Sequence, residues 1–105
     1  MNNVLVIGSG FLGGNIVNEF RNNEIQVIGT NYNKNDSNEI HCDITDVDSI
    51  TSCVKKYSPQ VIINCAASVN VDYLENNEKL AFSINARGAK NVAKVCKNNK
   101  IRLLH

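Results

Sequence analysis

The 105-residue sequence predicts an α/β fold: a doubly wound parallel sheet, strand order 3-2-1-4-5, with helices on both faces. Three observations carry this. The runs Val4-Leu5-Val6-Ile7 and Val61-Ile62-Ile63-Asn64-Cys65-Ala66 are apolar and rich in β-branched residues, as in strands buried on both faces. The stretches between such runs carry apolar residues at helical spacing. A glycine-rich turn, Gly8-Ser9-Gly10-Phe11-Leu12-Gly13, joins the first strand to the first helix.

The elements follow in order. Leu12, Ile16, Val17 and Phe20 define a helix over 11–22, ended by Asn22-Asn23. Ile25, Val27 and Ile28 form a second strand, closing near Thr30-Asn31. Residues 31–38 read as a polar loop, and a short third strand falls near 39–42. Asp46 is a helix N-cap, with Ser49 three residues on and Val47, Ile50, Cys53 and Val54 as the apolar face. Ser58-Pro59 stops that helix, and the run from Val61 is the fourth strand. A polar, partly helical segment over 71–77 leads into a long helix over 78–98, with Leu80, Ala81, Ile84, Val92, Val95 and Cys96 on one broad face. Residues 101–104 begin a fifth strand. The pairs Asn2-Asn3, Asn22-Asn23, Asn76-Asn77 and Asn98-Asn99 fall where elements begin or end, so we read them as capping and turn residues.

Composition sets the bounds. The length suits one domain, at the usual ~100–200 residues. A net charge of +1 and 43% hydrophobic residues give no electrostatic case for a nucleic-acid or acidic partner. The four cysteines form no Cys-x-x-Cys pair, and no histidine stands at ligand spacing, so no metal site is expected. They read as free, reduced thiols of a cytoplasmic protein. No run approaches the ~20 apolar residues of a membrane helix, and the apolar run from Val4 is too short for a signal peptide.

Gly8-x-Gly10-x-x-Gly13, placed after a strand and opening a helix, is the pattern that holds a dinucleotide pyrophosphate. Gly8 permits a tight turn, Gly10 lets the backbone approach the phosphates, and Gly13 lets the helix pack close to the strand. The phosphate charge then meets free N–H groups at the positive end of the helix dipole, here including those of Phe11 and Leu12. An acid usually follows at the end of the second strand and binds the ribose hydroxyls of NAD. The residues there are Gly29-Thr30-Asn31-Tyr32-Asn33-Lys34, with no acid. That permits a 2′-phosphate, which Lys34 can neutralise and Asn31 or Thr30 can bond. NADP(H) is therefore the favoured cofactor and NAD(H) the alternative; a solvated loop lysine is the competing reading of Lys34. After the third strand, Asp43 can accept from the adenine amino group while Ile44 packs on the ring. Asp43 as a plain turn cap is the alternative.

The residues resemble the extended short-chain dehydrogenase/reductases, a Rossmann-like superfamily, and within it the N-terminal part of the dTDP-4-dehydrorhamnose reductase group. Four segments carry the likeness: the glycine turn, Asp43-Ile44-Thr45-Asp46, the run Val61 to Ala67, and the block from Val71-Asp72 through Glu75 to Ile84-Asn85-Ala86-Arg87-Gly88-Ala89-Lys90-Asn91-Val92-Ala93. The resemblance covers essentially the whole chain. It implies that Ala66 and Ala67 line the cofactor and that Asn85 organises a water-linked proton relay. It gives Ser68 a place at the edge of the nicotinamide or substrate site. The implied activity is an oxidoreductase of dTDP-rhamnose biosynthesis, with a nucleotide-sugar substrate.

Two features depart from the group. The glycine turn is one residue shorter than the group's Gly-x-x-Gly-x-x-Gly. The group's Tyr-x-x-x-Lys pair has no counterpart: Tyr32, Tyr57 and Tyr73 are followed four residues on by Asp36, Val61 and Asn77. Asp72 and Glu75 stand at helical spacing and read as a solvated face. These 105 residues are therefore expected to bind cofactor without reducing a sugar alone. Two readings follow: the cofactor half of a nucleotide-sugar reductase, or a non-catalytic NADP-binding module similar to the methionine adenosyltransferase β subunit. If the chain is natively this short, the apolar strand over 101–104 is an edge that invites a homodimer.

Overall fold

The computed structural model describes residues 3–8, 11–31, 40–66 and 78–104. Five strands, β1 (Asn3–Ile7), β2 (Gln26–Asn31), β3 (Ile40–His41), β4 (Val61–Asn64) and β5 (Arg102–Leu104), form one sheet in the order β3-β2-β1-β4-β5. Every pairing is parallel. Among the described residues three helices accompany them: α1 (Phe11–Asn22), α2 (Val47–Tyr57) and α3 (Glu78–Asn98). Strand order, strand direction and helix limits match the sequence expectation. Strands β2 to β5 are shorter than expected, and β1 begins one residue earlier, at Asn3. β2 starts at Gln26, leaving Ile25 38% exposed, and β3 has two residues.

β1 sits at the centre, and its alternation divides the core. Val4 and Val6 face one way, packing with Val17 of α1, Val27 and the half-buried Ile16 and Phe20. Leu5 and Ile7 face the other way, into a larger cluster with Ile50, Cys53 and Val54 of α2 and Val92, Val95 and Cys96 of α3. A strand covered on both faces has no polar position to spare, which is why the run from Val4 to Ile7 is unbroken.

The helix ends show what the asparagine pairs do. Asn23 and Asn99 each donate a side-chain N–H to the carbonyl four residues back, Glu19 and Val95, at 2.8 Å. Glu24 and Lys100 then turn into the left-handed region, at φ 61° and 55°. The N–H groups of Ile25 and Ile101 reach back to the Phe20 and Cys96 carbonyls, at 3.0 and 2.8 Å. Both ends are thus Schellman caps, which satisfy carbonyls that the helix itself leaves open. α2 ends more simply. Ser58 adopts φ 47° and its N–H bonds the Val54 carbonyl at 2.8 Å, with Pro59 next. Asp46 caps the start of α2, accepting from the Asp48 N–H at 3.0 Å.

Candidate functional site

In a sheet of this order, the crevice lies where neighbouring strands lead to helices on opposite faces, at the strands' carboxyl ends. By that rule the place for a ligand here is between β1 and β4, beyond Ile7 and Asn64.

The glycine turn is built around close backbone approaches. Gly8 has φ 84°, and a Cβ there would stand 2.7 Å from both the N and Cα of Ala66, just past β4. Its N–H donates to the Thr30 carbonyl at 3.1 Å, so the turn is tied to β2 as well. A Cβ on Gly13 would run into the Gly8 carbonyl oxygen and lie 3.4 Å from the Cys65 Cβ. The first turn of α1 is therefore seated directly on the end of β1, as expected of the third glycine. That turn carries no acid to oppose an anion. Leu12, in that turn, is 64% exposed.

β4 ends for a local reason. The Asn64 side-chain oxygen accepts from the Ala66 N–H at 3.0 Å and turns the chain out of the strand. This shortens the expected strand by two residues and leaves Cys65 half-buried on the α1 side. The asparagine of the Asn-x-Ala segment thus shapes the turn that brings Ala66 to Gly8.

A second group lies after β3. Asp43 Oδ1 accepts from both the N–H (2.9 Å) and the hydroxyl (2.7 Å) of Thr45. The Asp43 N–H donates to Ser49 Oγ at 2.9 Å. One carboxylate oxygen therefore does what the alternative reading anticipated and closes its own turn. Ile44 packs on α3, where a Cβ at Gly88 would lie 2.7 Å from Ile44 Cγ1. The Asn91 side chain donates to the Ile44 carbonyl at 2.9 Å. Neither support was foreseen, although a glycine inside a long helix signals a close approach, since it costs about 1 kcal/mol against alanine. Asn85 is half-buried on α3, one turn before Gly88.

One expectation is corrected. Thr30 is fully buried, and its hydroxyl donates to the Val6 carbonyl at 3.3 Å, so it has no hydrogen to give a 2′-phosphate. Asn31, next along β2, is half-buried, and its carbonyl accepts from the Cys42 N–H at 2.9 Å. Ser9, Gly10, Tyr32, Lys34, Ala67, Ser68, Asp72, Tyr73 and Glu75 lie outside the described residues, as does the side chain of Phe11. Among the described residues there is no group of three metal-ligating side chains, and no helix is long and apolar enough to cross a membrane.

Comparison with known proteins gives a consistent setting. The family profile described as RmlD substrate binding domain matches residues 1–105. The methionine adenosyltransferase 2 subunit beta of Danio rerio is 32% identical over 92 residues, which is 87% of this chain and 28% of that protein. A dTDP-4-keto-6-deoxy-D-glucose reductase of Streptomyces niveus is 40% identical over 63 residues, 60% of this chain and 22% of that one. The crystal structure of dTDP-4-dehydrorhamnose reductase from Bacillus anthracis in complex with NADP superposes with a TM-score of 0.76 at 30% identity, covering 98% of this chain and 35% of that chain. The chain therefore spans about a third or less of each of these proteins.

Proposed function

The chain belongs to the family of the RmlD substrate binding domain, and on that footing we propose that residues 1–105 are the NADP(H)-binding part of a longer reductase acting on the 4-keto group of a nucleotide-linked deoxysugar. The observation that carries this is the seating of α1 on β1. Gly13 and Gly8 leave no room for a Cβ, so the free N–H groups of α1 open beside the crevice between β1 and β4. The relative in complex with NADP supports the choice of cofactor.

In this reading Gly8, Gly10, Phe11, Leu12 and Gly13 hold the pyrophosphate. Asn31 and Lys34 take the phosphorylated ribose, with no acid to repel it. Asp43 receives the adenine amino group on the oxygen its turn does not use, and Ile44, braced by Gly88 and Asn91, offers the ring an apolar wall. Ala66 and Ala67 line the passage with small side chains. When bound, the nicotinamide supplies the hydride. Asn85 stands as a proton-relay residue. The general acid lies outside these residues, because no tyrosine here has a lysine four positions on. The reading implies a cytoplasmic enzyme.

The test is the full-length protein with NADPH and a dTDP-linked 4-keto-6-deoxysugar. Consumption of NADPH that depends on the sugar is expected. A second reading, a non-catalytic NADP-binding subunit, is favoured by the likeness to the methionine adenosyltransferase 2 subunit beta. It predicts cofactor binding without turnover, and a full-length sequence without Tyr-x-x-x-Lys.

A further inference from the structure

The turn after β3 leaves one carbonyl outside its own bonds, and α3 takes it. Over residues 43–46 the Asp43 carbonyl accepts from the Asp46 N–H at 3.1 Å. Asp43 Oδ1 accepts from the Thr45 N–H at 2.9 Å and from the Thr45 hydroxyl at 2.7 Å. The Ile44 carbonyl has no part in these bonds. It accepts instead from Asn91 Nδ2, at 2.9 Å, across 47 positions of sequence.

The Ile44 carbonyl and the Thr45 N–H belong to one peptide group, which is planar and rigid. Asn91 holds that plane at its oxygen, and Asp43 Oδ1 is bonded to its hydrogen. A chain of hydrogen bonds therefore runs from α3 through the 44–45 peptide to the Asp43 carboxylate. In such a chain each bond polarises the next. Tilting the plane would swing the Thr45 N–H away from Oδ1. Two further contacts keep the turn in place. The Ile44 side chain lies over Gly88, which leaves no room for a Cβ, and the Asp43 N–H donates to Ser49 Oγ at 2.9 Å. With Oδ1 so committed, no donor among the described residues reaches Oδ2.

We propose that Asn91 is a positioning residue for base recognition: through the 44–45 peptide it aims Asp43 Oδ2 at the amino group of adenine. The proposal rests on the NADP(H) reading given above. An aimed carboxylate accepts from the adenine amino group and repels the carbonyl that hypoxanthine carries in its place. A carboxylate free to swing discriminates less, because it can turn away from that carbonyl. Asn91 thus acts on the choice of base, and acts through Asp43. An asparagine that only stabilised the fold would weaken both dinucleotides alike.

The experiment titrates the full-length protein calorimetrically with NADPH and with deamino-NADPH, its hypoxanthine counterpart. The wild type should bind NADPH about tenfold more tightly or better, the worth of one hydrogen bond to a charged group. Asn91→Ala should bring that ratio to about threefold or less, chiefly by weakening NADPH. In an Asp43→Ala background the same change should leave the ratio where it stands, because the carboxylate it acts through is gone. Should Asn91→Ala fail to fold, Asn91→Asp, of the same size without the N–H, decides by the same ratio. The proposal is overturned if the Asn91 variant keeps the wild-type ratio, or if the wild type itself does not discriminate; either result leaves the cofactor reading standing. Failure of the wild type to bind either dinucleotide overturns that reading, and the proposal with it.

Discussion

Replacing Gly13 with alanine puts a methyl group where the Gly8 carbonyl oxygen already sits, with the Cys65 Cβ 3.4 Å away. Inserting a carbon into a close-packed site costs ~1–3 kcal/mol. The obstacle here is backbone, which cannot rotate aside, so the cost belongs at the top of that range. Alanine returns ~1 kcal/mol through its better helix propensity. The net loss is therefore about 2 kcal/mol, reached by α1 moving off β1. In urea, with a slope of ~1–3 kcal/mol per molar, the unfolding midpoint should fall by about 1 M. The same displacement moves the N–H groups proposed to hold the pyrophosphate, so NADPH affinity should fall about tenfold or more. Asn18→Ala, on the exposed side of α1, is the control and should gain a few tenths of a kcal/mol. If Gly13→Ala keeps both the midpoint and the affinity of the wild type, α1 is not seated on β1 in the way described.

Three further outcomes follow from the packing and the thiols. Gly88→Ala drives a methyl into Ile44 and should cost ~1–3 kcal/mol by denaturant unfolding; because Ile44 is a flexible side chain, the lower half of that range is expected. Glu24→Gly relieves a left-handed residue at a Schellman cap and should stabilise the protein by about 0.5–1 kcal/mol in the same assay. For Cys53 the hydrogen bond from Cys42 holds the folded pKa at about 7, below the 9.0 of an unperturbed thiol, so between those values the unfolded chain holds more protons. Stability should therefore rise as pH goes from about 7 to 9, and that rise should vanish in Cys53→Ser. Above pH 9 the sign reverses, because Cys42, Cys65 and Cys96 keep their protons in the fold and lose them on unfolding. Denaturant midpoints across this pH range check both limbs.

Much of the fold was legible because its signals are local. The β-branched runs, the helical spacing of Leu12, Ile16, Val17 and Phe20, and the breakers Asn22-Asn23 and Ser58-Pro59 act within a few residues of themselves. The glycine turn was legible for the same reason, down to the close approach at Gly13. What escaped depends on neighbours distant in sequence. Thr30 reads as a loop-edge donor, but the register that sets it beside Ile7 buries it, and its hydroxyl turns to Val6. The contact between Cys42 and Cys53 needs α2 to fold back over β3, which no Cys-x-x-Cys spacing announces. Gly88 and Asn91 act on Ile44 from more than forty residues away. Asp43 lies between these cases. Its bond to Thr45 is local and was one of the two readings offered; its part in holding a cofactor depends on the proposed ligand.

The central claim is that this chain seats the phosphates of NADP at the turn from Gly8 to Gly13. Calorimetric titration of the full-length protein with NADPH and with NADH, repeated for Lys34→Ala, addresses it most directly. The account predicts one site per chain, tighter binding of NADPH than of NADH, and loss of most of that difference in Lys34→Ala. Tighter binding of NADH, or no binding of either cofactor, would contradict it.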